Sequence, residues 1–262
     1  MDTERTNQRW EELARTDPLW GVVSDPARRG NRWDPESFYA SGRETVRHTL
    51  QRLEDLGLGP VHGPALDFGC GVGRLTWALA DHVSEVHGVD ASPTMVRLAR
   101  KHRPDDPRVK FHVVRRPPLP FPGGFFAFIL SELTLQHIPP PAARRVIREF
   151  LRVLAPDGIL VFQEAADPLL PGDGHTLSRR LIHRFKLMLP RPVFDLLRSA
   201  HLALRPPETF EMHGVPRATV EAIVRRGGGR LVHVEENRSA GPGWTSYRYF
   251  VAGPARDLTG RA

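Results

Sequence analysis

The 262-residue chain has room for one full α/β core with decorations, a better fit than two separate domains. Hydrophobic residues at 40% and charged residues at 26% are ordinary for a globular protein, and no apolar run reaches the ~20 residues a membrane-spanning helix needs. The excess of 37 Lys and Arg over 30 Asp and Glu gives a net charge of +7. Charge alone does not single out a nucleic-acid partner, and none is expected.

The opening stretch, MDTERTNQRWEELART, is charged and lacks the apolar stretch of a secretory signal, so a cytoplasmic location is expected. Residues 1–50 carry Trp10, Trp20, Trp33, Phe38 and Tyr39 within otherwise polar sequence. Aromatic side chains in such numbers need a surface to pack on, and a helical cover over the core is expected here. Between Pro64 and Glu164, short apolar runs alternate with helical patterns, as in stacked βαβ units around a parallel sheet. The pattern predicts strands at 65–69, 86–90, 109–115, 125–132 and 158–164. Helices are predicted at about 73–82, after Ser92-Pro93, and at about 141–154 with Val146, Phe150 and Val153 on one face. Later come a helix at 217–226 and strands at 229–236 and 246–252, which suggest a closing antiparallel hairpin. The tail from 254 to 262 reads as disordered.

A glycine loop, Gly69-Cys70-Gly71-Val72-Gly73, joins the first strand to the first core helix, where an open α/β sheet places its ligand. Glycines let the backbone turn sharply and approach a ligand closely, and the helix beyond offers free N–H groups. Asp90 ends the second strand, where a carboxylate can accept hydrogen bonds from ribose hydroxyls. A dinucleotide loop would need a third glycine at position 74, which is arginine here. The G-x-G-x-G spacing, preceded by Asp67 and followed by Val86-His87-Gly88-Val89-Asp90-Ala91-Ser92, resembles the first two motifs of the class I S-adenosylmethionine-dependent methyltransferases. Leu119-Pro120-Phe121, Leu135-Gln136-His137-Ile138-Pro139 and Leu154-Ala155-Pro156-Asp157-Gly158 extend the resemblance to about Glu164.

That resemblance implies a Rossmann-like, doubly wound α/β fold with a mostly parallel seven-stranded sheet whose last strand is antiparallel. It divides the chain into an N-terminal helical cover (1–50) and a cofactor-binding domain (51–253) carrying a helical lid insertion at about 166–214. It also places Asp67, Gly69 and Gly71 around the amino-acid part of S-adenosylmethionine, Asp90 on the ribose, and Ala91, Ser92 and Met95 beside the adenine. Gly73 lets the first helix pack closely, and Cys70 is a small loop residue, not a nucleophile. Ser131, Glu132, Gln136 and His137 follow the fourth strand, close to where the methyl group would lie. His137 is the candidate base, because an imidazole titrates near neutrality, or else it holds the loop. Glu132 either accepts a substrate proton or contacts the cofactor. Phe38-Tyr39-Ala40-Ser41-Gly42 is similar to the stretch that reaches the cofactor in small-molecule members of the family.

Two departures stand out. Arg115 and Arg116 occupy the place where many relatives have an Asp or Asn that accepts from the adenine amino group, so a backbone carbonyl or another side chain must serve. Phe126-Ala127 replaces the usual aspartate at the start of the fourth strand. In the insertion, a helix at 176–189 would put Leu177, Leu181, Phe185 and Met188 on one face and Arg179, Arg180, Arg184 and Lys186 elsewhere, fitting a lid, a dimer element or a membrane-surface helix. His175, His183 and His201 are scattered, zinc and phosphate-loop motifs are missing, and no metal is expected. The function expected is methyl transfer to a small molecule, oxygen foremost, in secondary metabolism, by a monomer or homodimer. The competing expectations are a cofactor-binding chain that performs another reaction or none, and a nucleic-acid methyltransferase. The last lacks the Asn/Asp-Pro-Pro-Tyr/Phe stretch, since Ser131-Glu132-Leu133-Thr134 stands in its place.

Overall fold

The structure, a computed structural model, describes residues 2–102, 106–168, 211–237, 239–241 and 244–254. Seven strands form one sheet: β1 (Pro64–Phe68), β2 (Glu85–Asp90), β3 (Val109–Val113), β4 (Phe126–Ser131), β5 (Leu154–Pro168), β6 (Arg230–Asn237) and β7 (Trp244–Ala252). Their spatial order is β3-β2-β1-β4-β5-β7-β6. β1 to β5 run parallel, while β7 lies antiparallel between β5 and β6. The closing hairpin therefore inserts its second strand next to β5 and leaves β6 at the edge. The chain winds outward from β1 to β3 and then returns to β4 on the other side of β1. That reversal opens a crevice at the carboxyl ends of β1 and β4, where this sheet type takes its ligand.

Seven α-helices accompany the sheet among the described residues: α1 (Asp2–Thr16), α2 (Pro18–Val22), α3 (Pro35–Asp55), α4 (Arg74–Leu79), α5 (Pro93–His102), α6 (Pro140–Val153) and α7 (Arg217–Arg226). α3 starts where the Asp34 carboxylate accepts from Ser37 N at 2.9 Å with Pro35 in the first turn, a combination that satisfies an orphan donor and presets the backbone. It runs through residues 50 and 51, so the expected division after residue 50 falls inside a helix. At α5 the Ser92 hydroxyl accepts from Met95 N at 3.1 Å, the cap that Ser92-Pro93 predicts. α6 buries Val146, Phe150 and Val153, and ends at Val153 because β5 begins at once, with Leu154 paired to Phe126.

The core is split by the sheet. On one face α6 and α7 cover Phe126, Phe150, Leu160, Phe162, Tyr249 and Val251. On the other, α3 and α4 cover Ala65, Leu79, Phe128, Leu130, Val161 and Phe250. The N-terminal segment packs separately, with Ala14, Phe38, Val72 and Met95 as its buried center. The expected 176–189 helix, most of the insertion, and the tail beyond residue 254 lie outside the described residues.

Candidate cofactor and acceptor site

Strand β1 is buried throughout its center and delivers the chain into the glycine loop at Gly69. Gly69, Gly71 and Gly73 have φ of 80°, 53° and 85°, the left-handed region that residues with a Cβ rarely adopt. Space reinforces the requirement at all three, Gly73 lying against the Trp77 and Phe111 rings. A Cβ on Gly69 would collide with the Thr134 side chain, and one on Gly71 with Val22 Cγ2 of α2. Gly73 is the N-cap of α4. The loop is pinned to β2, since Gly69 N and Cys70 N both donate to Val89 O, at 2.8 and 3.0 Å. Cys70 is buried, and burial followed by the Asp90 and Asp67 charges pushes its thiol far up, so it offers no thiolate.

Asp90, half-buried at the tip of β2, spans this loop and the start of α5. One carboxylate oxygen accepts from Gly71 N at 2.9 Å and the other from Ser92 N at 2.8 Å. Burial pushes its carboxyl up while the Ser92, Gly71 and Ala91 N–H groups pull it back. Asp67 lies beneath the loop, fully buried, with Thr76 Oγ1 donating to it at 2.6 Å. Burial raises it to about 6, against the Thr76 hydrogen bond and the nearby Arg74. Arg74 is itself buried at the first turn of α4, donating to Thr45 Oγ1 at 3.2 Å and Ser41 Oγ at 3.4 Å. Its Nε has no partner.

The N-terminal helices close over this frame. Glu11 of α1 accepts from the Ser92 and Thr94 hydroxyls, both at 2.6 Å, and from Thr94 N at 3.2 Å. Partial burial pushes Glu11 up, but these bonds and Arg15 outweigh it and hold the carboxyl at about 2. Asn7 Nδ2 donates to the Arg115 carbonyl at 3.2 Å, so a backbone acceptor does stand where the arginine side chain offers none. Tyr39 donates to Val72 O at 3.2 Å, and Gly42 sits against the Arg74 backbone. The 38–42 stretch thus abuts the glycine loop.

Beyond β4 the chain folds tightly. Ser131 is buried and donates to Phe68 O at 3.0 Å. Leu133 takes a φ of 58°, costly for a non-glycine residue, and its N–H donates to Gln163 Oε1 at 3.1 Å. Gln163 Nε2 donates to Gln136 Oε1 at 2.8 Å. Glu132 is paired with Arg248 of β7 at 2.7 Å, and burial pushes its carboxyl up against that attraction. His137 has both ring nitrogens engaged, Nε2 with Gln136 Nε2 at 3.2 Å and Nδ1 with Glu211 O at 3.3 Å, and Trp10 of α1 meets its ring edge-on at 5.0 Å. Burial drives its imidazole down to about 4, with the Glu211 carbonyl opposing. Such an imidazole is neutral at physiological pH and a weak base. A cavity of only about 20 Å³, room for about one water, remains among Arg9, Trp10, His137 and Glu211.

Glycine loop, Asp67, Asp90, Ala91, Ser92 and Met95 therefore converge on one corner, and Ser131, Glu132, Gln136 and His137 on the next. Sequence reasoning missed Glu11, Asn7, Val22 and Gln163, which act across long sequence separations. Arg74 carried a local signal, as the first helical residue after the loop.

Comparison with known proteins agrees with this geometry. Residues 65–158 match a methyltransferase domain family. A ubiquinone biosynthesis O-methyltransferase of Xanthomonas campestris is 32% identical over 191 residues, 67% of this chain and 77% of that protein. A 2-methyl-6-phytyl-1,4-hydroquinone methyltransferase of Synechocystis is 33% identical over 156 residues, 58% of this chain and 47% of that protein. The chain spans about half the length of several of its curated relatives. Among solved structures, an N-methyltransferase of Bradyrhizobium japonicum in complex with S-adenosyl-L-homocysteine superposes with a TM-score of 0.56 at 18% identity, covering 95% of this chain and 98% of that one. The chain belongs to the class I S-adenosylmethionine-dependent methyltransferases. S-adenosylmethionine is the cofactor that this membership brings.

The residues present suit that cofactor. Its methionine end carries an ammonium and a carboxylate, and the corner holds the Asp67 carboxyl beneath the loop and a buried Arg74 Nε–H without a partner. Its ribose needs an acceptor, and Asp90 stands at the strand end with its orientation fixed by two backbone donors.

Proposed function

We propose that the chain transfers the methyl group of S-adenosylmethionine to a small-molecule acceptor, with a hydroxyl oxygen as the acceptor atom, in the cytoplasm and in secondary metabolism. The observation that carries the reading is the Asp90 carboxylate bridging Gly71 N and Ser92 N, where the carboxyl end of β2 meets the glycine loop that follows β1. The cofactor supplies a methyl group already activated on a sulfonium, so the protein's work is to bind, align and exclude water.

In this reading Asp90 holds the ribose hydroxyls. Gly69, Cys70 and Gly71 bring the backbone against the methionine chain, Arg74 donates to its carboxylate, and Asp67 faces its ammonium. Gly73 seats α4 close behind. Ala91, Ser92 and Met95 line the adenine face, and the Arg115 carbonyl, held by Asn7, is the acceptor for the adenine amino group. Ser131 and Gln136 hold the loop beside the methyl group. His137 and Glu132 act there as positioning groups, because each is already committed to a protein partner. α1 and α2 must shift to admit the cofactor, since Glu11 of α1 and Val22 of α2 cover its corner.

Calorimetry with S-adenosylhomocysteine tests the reading. Binding by the wild-type chain, weakened by Asp90→Ala, is the expected result, and no binding by the wild type would refute it. Binding without transfer to any hydroxyl or amino acceptor would instead select the reading of a chain that holds the cofactor for another purpose.

A further inference from the structure

Neither His137 nor Glu132 offers a free proton acceptor, yet one buried carboxylate does. Glu164 lies at the carboxyl end of β5, two residues past Phe162, which pairs with the terminal β4 residue Ser131. It is 1% exposed, and neither carboxylate oxygen has a hydrogen-bond partner. Across the ladder it faces Tyr247 of β7, and the next residue on the same face of β7 is Tyr249, which pairs with Phe162, stacks on its ring at 4.9 Å and has a buried hydroxyl that is equally unpartnered. Beside them run residues 213–215, fastened by Val215 N to Ala165 O and His213 N to Gln136 O, both 2.8 Å. His213 Nε2 is a third buried polar atom without a hydrogen bond.

Leaving such groups unpaired is expensive, and folded proteins do so chiefly where a ligand completes the set. Burial pushes Glu164 well above the usual carboxylate range against a weaker pull from the adjacent Ala165 N–H, and burial followed by the Glu164 charge pushes Tyr249 up as well. The other charged and titratable groups bearing on Tyr249 are Arg217 and Glu221 of α7 and Tyr247 of β7. A carboxylate raised toward neutrality is matched to a proton of phenolic acidity, whereas the His137 imidazole is not.

Resting on the methyltransferase reading, we propose that Glu164 is the proton acceptor of the reaction and that Glu164 and Tyr249 together bind the acidic hydroxyl of a phenolic acceptor. As the acceptor oxygen forms its bond to the methyl carbon, the methyl–sulfur bond breaks with its electron pair going to sulfur. The hydroxyl proton passes to a Glu164 oxygen and leaves later to water. The Tyr249 O–H donates to the acceptor oxygen and holds it in line.

The test uses the full chain saturated with S-adenosylhomocysteine and 4-nitrophenol as probe, followed by calorimetry and by its visible phenolate band. We expect the wild type to bind the probe as phenolate. Glu164→Gln should weaken binding at least about tenfold and abolish the bound phenolate band, and Tyr249→Phe should weaken it about three- to tenfold. Both variants should keep S-adenosylhomocysteine affinity, and neither should lower Tm. Probe binding that is absent in the wild type, or equal in wild type and Glu164→Gln, overturns the proposal while leaving the cofactor reading intact. A lowered Tm in both variants overturns it as well, by showing the pair to be structural. Loss of S-adenosylhomocysteine binding by the wild type would refute the methyltransferase reading itself.

Discussion

The two corners of the site are built differently. The cofactor corner is assembled from neighbors in sequence: the glycine loop, Asp90 and Ser92 lie within 24 positions of one another, and backbone N–H groups make its decisive bonds. The acceptor corner draws Trp10, Gln136, Gln163, Glu164, Glu211 and Tyr249 from five separate parts of the chain and joins them mostly through side chains. Backbone contacts tolerate any residue that fits the dihedral angles, so a cofactor corner of this kind can stay fixed while side chains in the acceptor corner change. The fold thus separates what the family shares from what each member chooses.

The strongest way to break the cofactor corner alone is Gly71→Val. A β-branched residue at φ 53° costs about 2 kcal/mol or more, and its side chain would also strike Val22. S-adenosylhomocysteine binding is expected to fall beyond detection by calorimetry. Asp90→Ala should cost about 1–3 kcal/mol of cofactor affinity, roughly 5- to 150-fold, read by the same titration.

His137→Ala probes the other corner. It should slow turnover about tenfold by loosening the 133–137 loop, with cofactor affinity changed by less than about threefold. Equal losses in both would show the two corners to be one unit. Glu11→Ala tests the element that bridges them, and should speed cofactor association several-fold while lowering Tm slightly, because α1 loses its hold on Ser92 and Thr94. Glu11 is also an acid-sensitive contact. Its carboxyl is held at about 2 against an ordinary 4.5, so its contribution is present above pH 4.5 and is lost as pH falls toward 2.

The smallest effect should come from a cluster far from both corners. His87 and His112 share a hydrogen bond of 2.9 Å, packed against Phe121, and burial lowers both imidazoles below 6.5. The unfolded chain takes up these protons first, so stability should decline as pH falls below about 6.5. Urea midpoints at about pH 7 and 5.5 should show the drop, and His112→Phe should flatten it.

Much of the cofactor corner was legible because its signals are local. A glycine triplet after an apolar run, an acid ending the next strand, and Ser-Pro opening a helix each occupy a few adjacent residues. Strand boundaries came out within two residues, except that β5 runs from Leu154 to Pro168 where 158–164 is expected. The long-range partners left no such trace. Glu11 reaches Ser92 across 81 positions and Asn7 reaches Arg115 across 108, and nothing around either residue distinguishes it from solvated helix surface. Glu164 looked like the end of an apolar strand, and only the fold shows that both its oxygens are buried without partners. Glu132 and His137 were legible as residues of the site, but the partners that occupy them, Arg248 and Glu211, were not.

The bond from Val215 N to Ala165 O carries an implication of its own. Together with the bond from His213 N to Gln136 O, it holds the stretch that leads into α7 against the last third of β5. Closing a longer loop at such a junction costs little, about 0.6 kcal/mol for each doubling of length. A change of chain length between these ties and β5 therefore carries little entropic penalty, and a new acceptor preference could be grafted there with the cofactor frame unchanged.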